Sequence, residues 1–189
     1  MGLINDFRFT IKYKKNSNSY MLFAIFKTLL CPSFIVLSIY RFGHLLNTMK
    51  IPILPKICWW INYVFFSVDI DIRAKLWGGI YMPHPIGIVI GQGVIIMGDT
   101  KILHGATLGG NLGKKAEYDG NIITQPVLIK GGLIGINSVI AGPVIITGKV
   151  FVSANSIITG SVGEDAFLYD INKKKNLQSL HKAEMHYNE

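Results

Sequence analysis

Written in sixes from Ile70, the chain reads I-DIRAK, L-WGGIY, M-PHPIG, I-VIGQG, V-IIMGD, T-KILHG and A-TLGGN. After an interruption it resumes from Val127 as V-LIKGG, L-IGINS, V-IAGPV, I-ITGKV, F-VSANS and I-ITGSV. All but two of these blocks open with Ile, Leu, Val, Met or Phe, the exceptions being Thr100 and Ala106. A period of six fits a triangular parallel β-coil. Each block makes one flat face, its leading aliphatic points into the prism, and three blocks close a turn of about 18 residues. Glycine and small residues then mark the corners, where a tight turn needs positive φ or no Cβ. An antiparallel β-domain would instead place turn signals every ~8–12 residues without fixed phase.

The 67 residues before the coil have a different character. Up to Val68 the basic residues are Arg8, Lys12, Lys14, Lys15, Lys27, Arg41, Lys50 and Lys56, against Asp6 alone, so most of the net charge of +8 lies there. Such a surface suits nucleic acid, an anionic membrane face or an acidic substrate. Nucleic acid is set aside, because no aromatic RNA-binding strand, zinc spacing or recognition helix occurs. Two apolar blocks, "YMLFAIFKTLLCPSFIVLSIY" (20–40) and "IPILPKICWWINYVFFSV" (51–68), are interrupted by Lys27 and Pro32 and by Pro55 and Lys56. They read as short helices packed on the coil or on a partner subunit, or as a peripheral membrane contact, rather than as a span. The start of the chain is polar and basic, unlike a signal peptide. Cys31 and Cys58, set among apolar neighbours, read as buried thiols of a reducing cytoplasm. The expected location is therefore cytoplasmic, or at the inner membrane face.

The stretches "DIDIRAKLWGGIYMPHPIGIVIG", "ILHGATLGG" and "QPVLIKGGLIGINSVIAG" resemble the hexapeptide-repeat acyltransferases, and within them the serine acetyltransferase branch. The resemblance implies a mainly β protein with a left-handed parallel β-helix over 68–163 and a loop at 110–125; the residues before it read as a short, mainly helical region at 1–67, and those after it as a tail at 164–189. It also implies acetyl-CoA as co-substrate without a metal, and a homotrimer or dimer of trimers with CoA between neighbouring β-helices.

By the same resemblance, His84 is the general base that takes the acceptor's hydroxyl proton. An imidazole with an ordinary pKa near ~6.5 suits that work, and Pro83 and Pro85 stiffen the backbone presenting it. Asp69, fifteen residues earlier, is the carboxylate that orients it; turns of about 18 residues would place the pair on adjacent coils, and Asp71 is a substitute. Gly110, Asn111, Gly135, Ile136, Ala154 and Asn155 are the expected CoA contacts. His104 and Gln125 are the expected acceptor contacts. Lys114 and Lys115 on the loop, and Lys173, Lys174 and Lys175 near the end, are candidate partners for phosphate, or solvated lysines.

Three positions depart from the serine enzymes. An aspartate before the base is replaced by Pro83, and an Arg-His pair closing the loop by Thr124 and Gln125. Without such a charged partner, binding of a zwitterionic acceptor is weaker by roughly 1.5–3 kcal/mol for each pairing. On that ground the expected reaction is O-acetylation of a sugar hydroxyl in a bacterial surface polysaccharide (capsule, O-antigen or exopolysaccharide) or its precursor. Serine O-acetylation is the enzymatic alternative, and an inactive β-helix scaffold the non-enzymatic one.

Overall fold

The computed structural model describes residues 2–14, 21–169 and 173–176. Four helices come first: α1 (Gly2–Lys14), α2 (Met21–Leu29), α3 (Pro32–Thr48) and α4 (Leu54–Phe66). Helix α3 starts with Pro32 in its first turn, where a missing N–H costs nothing. It buries Ser33, Val36, Leu37, Tyr40, Gly43 and Leu46, one stripe of helical period. A Cβ on Gly43 would lie 2.8 Å from both Cys58 Cβ and the Ile72 side chain, so glycine lets α3 approach α4 and the coil. The Tyr40 hydroxyl donates to the Ala74 carbonyl at 2.7 Å. Cys31 and Cys58 are buried free thiols, and burial pushes the Cys58 thiol up.

Helix α1 is fixed by a buried charge. Asp6 is fully buried and accepts from Arg41 Nε at 2.9 Å, Arg41 Nη2 at 3.1 Å and the Ile80 N–H at 2.8 Å. Arg41 also donates to the Leu76 carbonyl. Three elements thus meet at one carboxylate. Desolvation raises its pKa, and Arg41 works against that rise.

Helix α4 stops at Ser67, which is left-handed (φ 53°) and donates its N–H to Asn62. The coil begins two residues later. Its first face comprises β1 (Asp69–Ile70), β4 (Val89–Ile90), β7 (Thr107–Gly109), β12 (Val139–Ala141) and β15 (Ile157–Ile158). The second holds β2 (Lys75–Leu76), β5 (Ile95–Ile96), β10 (Val127–Leu128) and β13 (Ile145–Ile146). The third holds β3 (Ile80–Tyr81), β6 (Thr100–Ile102), β11 (Gly132–Ile134), β14 (Val150–Val152) and β16 (Ala166–Tyr169). Neighbours on each face are parallel, and the three faces close a left-handed β-helix.

The register shows where the repeat is broken. On the first face Asp69, Val89, Thr107, Val139 and Ile157 are successive partners, so the coils take 20, 18, 32 and 18 residues. The first coil is two residues longer than the rule, and the extra length lies in the corner after β3. The third coil carries the loop. On the third face Val150 pairs with Ala166, a step of only 16; Ile146 already pairs with Val162 at the same step, so the corner after β15 is the shortened one.

The leading residues of the first run do point inward: Ile70, Leu76, Met82, Ile88, Val94, Thr100 and Ala106 are all buried. The second run differs from the sequence reading. There the inward side chains are Leu128, Ile134, Ile140, Ile146, Val152 and Ile158, each the second residue of its block. Their predecessors from Leu133 onward face out, and Phe151 and Ile157 are exposed. Strand alternation decides between two adjacent aliphatics that the letter pattern leaves equivalent.

The loop is also more ordered than its reading as an excursion. Within it β8 (Ala116–Tyr118) and β9 (Asn121–Ile123) form an antiparallel hairpin. Its turn residues Asp119 and Gly120 both have positive φ, 51° and 70°, as a two-residue Asp-Gly turn requires. At the other end β17 (Lys173–Asn176) pairs antiparallel with β16. This carries the backbone of Lys173, Lys174 and Lys175 along the third face. The remainder of the expected tail, with His181 and His186, lies outside the described residues.

Candidate active site

The corner between the third and first faces is built by repetition. Gly87, Gly105, Asn137 and Asn155 are all left-handed, with φ of 71°, 70°, 53° and 57°. Their N–H groups donate one coil down, to the carbonyls of Ser67 (2.8 Å), Ile86 (3.0 Å), His104 (3.0 Å) and Ile136 (2.8 Å). Glycine or asparagine is needed at each step because only these residues adopt that conformation readily. In the first coil the corner widens to hold "PHP". Met82 and Pro85 are buried beneath it, and the Met82 N–H donates to Ser33 Oγ at 2.9 Å. His84 between them is exposed, standing on a pedestal fixed from both sides. Its ring meets that of His104 edge-to-face, centroids 6.3 Å apart and planes at 73°.

Asp69 and His84 lie within the same coil, not on adjacent ones, because fifteen residues are fewer than one turn and the next coil starts only at Val89. The corner bearing His84 closes onto the start of β1, where the Asp69 N–H donates to the Ile88 carbonyl at 2.9 Å. The half-buried Asp69 carboxylate accepts from Trp59 Nε1 at 2.8 Å through Oδ1. Among the described residues it makes no hydrogen bond to His84. Asp71 is occupied otherwise: Arg73 donates to it from its backbone N–H (2.8 Å), Nε (3.0 Å) and Nη2 (2.9 Å). Burial raises the Asp71 pKa, but these Arg73 bonds prevail and hold it below the usual range.

The expected ligand contacts divide between two corners. Gly135, Ile136, Ala154 and Asn155 continue the corner of His84 and His104 into the third and fourth coils. Gly135 is required there by packing, since a Cβ would sit 2.5 Å from the Val152 carbonyl oxygen. Gly110, Asn111 and Gln125 occupy the next corner, beyond strand β7, about 10 Å along the first face at ~3.3 Å per residue. Within one chain the structure does not bring these three to His84.

Gln125 is wedged between glycines. A Cβ on Gly110 would lie 2.9 Å from Gln125 Nε2, and one on Gly91 3.2 Å from Oε1. That Oε1 is buried without a hydrogen-bond partner. Beside it the β8–β9 hairpin and the second face enclose a groove of about 650 Å³, lined by Lys75, Trp77, Gln92, Tyr118, Asn121 and Gln125 among others. Sequence reasoning missed this groove and the Trp59–Asp69 contact. The Asp-Gly turn was the available signal for the hairpin; nothing in the sequence paired Trp59 with Asp69. Among the described residues no cluster of His, Cys, Asp and Glu is placed to hold a metal ion.

The coil and its corner define a hexapeptide-repeat protein of left-handed parallel β-helix fold. By sequence the chain belongs to the serine acetyltransferase family. It is 31% identical over 173 residues to the serine acetyltransferase of Buchnera aphidicola subsp. Acyrthosiphon pisum, covering 91% of this chain and 60% of that one. It is 36% identical over 132 residues to that of Buchnera aphidicola subsp. Schizaphis graminum, covering 68% and 48%. The chain thus spans about half to three-fifths of the length of these relatives. Among solved structures it matches a serine acetyltransferase in complex with CoA (TM-score 0.72, 26% identity, 92% of this chain, 70% of that chain). It matches one in complex with cysteine equally well (TM-score 0.74, 25% identity, 92% and 70%). No protein-family profile matches the chain.

These comparisons overturn the polysaccharide reading. The relatives are named for serine, not for a glycan. The inference from Pro83, Thr124 and Gln125 took missing formal charges as a change of acceptor. Missing charges do not by themselves establish another acceptor, since neutral hydrogen-bond donors also bind carboxylates.

Proposed function

We propose that this chain is an acetyl-CoA-dependent O-acetyltransferase acting on the hydroxyl of L-serine. The observation that carries the reading is an exposed histidine held on a rigid corner, in a chain aligned over 91% of its length with a serine acetyltransferase. His84 takes the serine hydroxyl proton as that oxygen bonds to the thioester carbonyl carbon. The C–S bond then breaks, and the imidazolium returns the proton to the departing CoA sulfur. The products are O-acetylserine and CoA. Asp69 stabilises the imidazolium, with Trp59 fixing its other oxygen.

The working assembly in this proposal is a trimer. Outward-facing Val139, Ile145, Phe151 and Ile157 supply apolar surface for neighbouring coils. A neighbour's Gly110, Asn111 and Gln125 then face the corner of His84 and His104, joining the two half-sites that a single chain keeps apart. Gln125 Nε2 donates to the acceptor carboxylate in place of a cation. The test is thiol release from acetyl-CoA with L-serine, and the mass of the product: serine-dependent release with O-acetylserine formed supports the reading, and release that ignores serine refutes it.

A further inference from the structure

The turn between α3 and α4 holds apolar side chains in water. Met49 is 62% exposed, Ile53 74%, Leu54 47% and, one turn into α4 beyond Ile57, Trp60 55%. The turn is nonetheless closed by its own backbone, with Ile51 N–H to Leu46 (3.0 Å) and Leu54 N–H to Pro52 (2.8 Å). Ile51 packs against the core, while Ile53 is displayed outward at φ 70°. That conformation is strained for a β-branched residue and recurs where a side chain is held for use.

Charge says what covers this tip. Lys50 and Lys56 flank it, both exposed, and no aspartate or glutamate occurs between Asp6 and Asp69. A second copy of the same tip would set these lysines against their equivalents, and Asp71, which lines a pocket with Lys56, is already held by Arg73. An anionic lipid surface satisfies both features: the apolar side chains enter the acyl boundary, tryptophan settles at the headgroups, and the lysines meet phosphate. No described helix is long and apolar enough to cross a membrane. We propose that the α3–α4 turn inserts Met49, Ile53 and Leu54 into the headgroup layer of an anionic bilayer, so that the coil works against a membrane surface.

The experiment is co-sedimentation of the full chain with phosphatidylcholine vesicles, with and without phosphatidylglycerol, at low and high salt. Binding to the anionic vesicles that weakens with salt is expected. Ile53→Gly removes the apolar side chain and relaxes the positive φ, so it should keep the fold by circular dichroism and bind at least about tenfold more weakly. Lys50→Gln with Lys56→Gln should remove the preference for phosphatidylglycerol. Acetyl-CoA turnover in lipid-free solution should be the same for all these proteins, which separates this inference from the proposed reaction. No binding to anionic vesicles, undiminished binding by Ile53→Gly, or a lipid-free change of oligomeric size in that variant, which would make the tip a subunit interface, overturns it.

Discussion

Trp59 Nε1 donates a 2.8 Å hydrogen bond to Asp69 Oδ1, joining the last N-terminal helix to the first strand of the coil. The bond occupies one of the two carboxylate oxygens. The Trp59 ring is itself stacked on Tyr63, centroids 5.2 Å apart. Trp59→Phe keeps an aromatic ring beside Tyr63 and deletes the N–H together with part of the indole. A hydrogen bond to a charged group is worth about 1.5–3 kcal/mol, so kcat should fall roughly ten- to a hundredfold with the KM for acetyl-CoA unchanged. Steady-state kinetics decide this; an unchanged kcat would leave Trp59 a packing residue.

His84→Ala should lower serine acetylation by about two to four orders of magnitude. CoA binding and the far-ultraviolet spectrum should not change, because the exposed ring is not among the groups that fix the corner. Calorimetric titration of CoA into the variant checks the separation.

Arg41→Met isolates the buried Asp6 carboxylate. Breaking a buried pair in this way should cost about 3–5 kcal/mol near neutral pH, measured by denaturant unfolding. The Asp6 pKa is already raised by desolvation, and losing Arg41 raises it further. A raised folded-state pKa favours the native state in acid and loses that advantage as pH rises through it. The penalty should therefore shrink as pH falls through the raised folded-state pKa of Asp6 and the carboxyl becomes neutral.

Gly135→Ala tests a packing role. The new Cβ would lie 2.5–2.7 Å from backbone atoms of Val152, Ser153 and Ala154, and backbone cannot rotate away as a side chain can. The melting temperature should fall by several degrees or more. Asn137→Gly, at φ 53°, should be tolerated.

The coil was legible because aliphatics recur every six residues, yet three of its particulars were not. The widened corner was hidden because Met82 and Ile88 both stay buried although two more residues separate them than separate Ile102 and Ala106, their counterparts one coil on. The inward side of the second run was ambiguous wherever two aliphatics adjoin, as at Val139–Ile140 and Ile145–Ile146; only strand pairing selects one. The flanking prolines of His84 indicated a stiff backbone; its place on an exposed corner is visible only in the structure. The division of Gly110, Asn111 and Gln125 from that corner could not be read, because the step from one corner to the next depends on which strands pair. The acceptor was misjudged for a related reason: charge at Thr124 and Gln125 can be read from letters, whereas the wedging of the Gln125 amide between Gly91 and Gly110 cannot.

Serine acetylation with His84 as base is tested most directly by thiol release from acetyl-CoA by the purified chain and by His84→Ala, each with and without L-serine. Release should require serine and largely disappear in the variant. Release without serine, or a variant as active as the native chain, would contradict it.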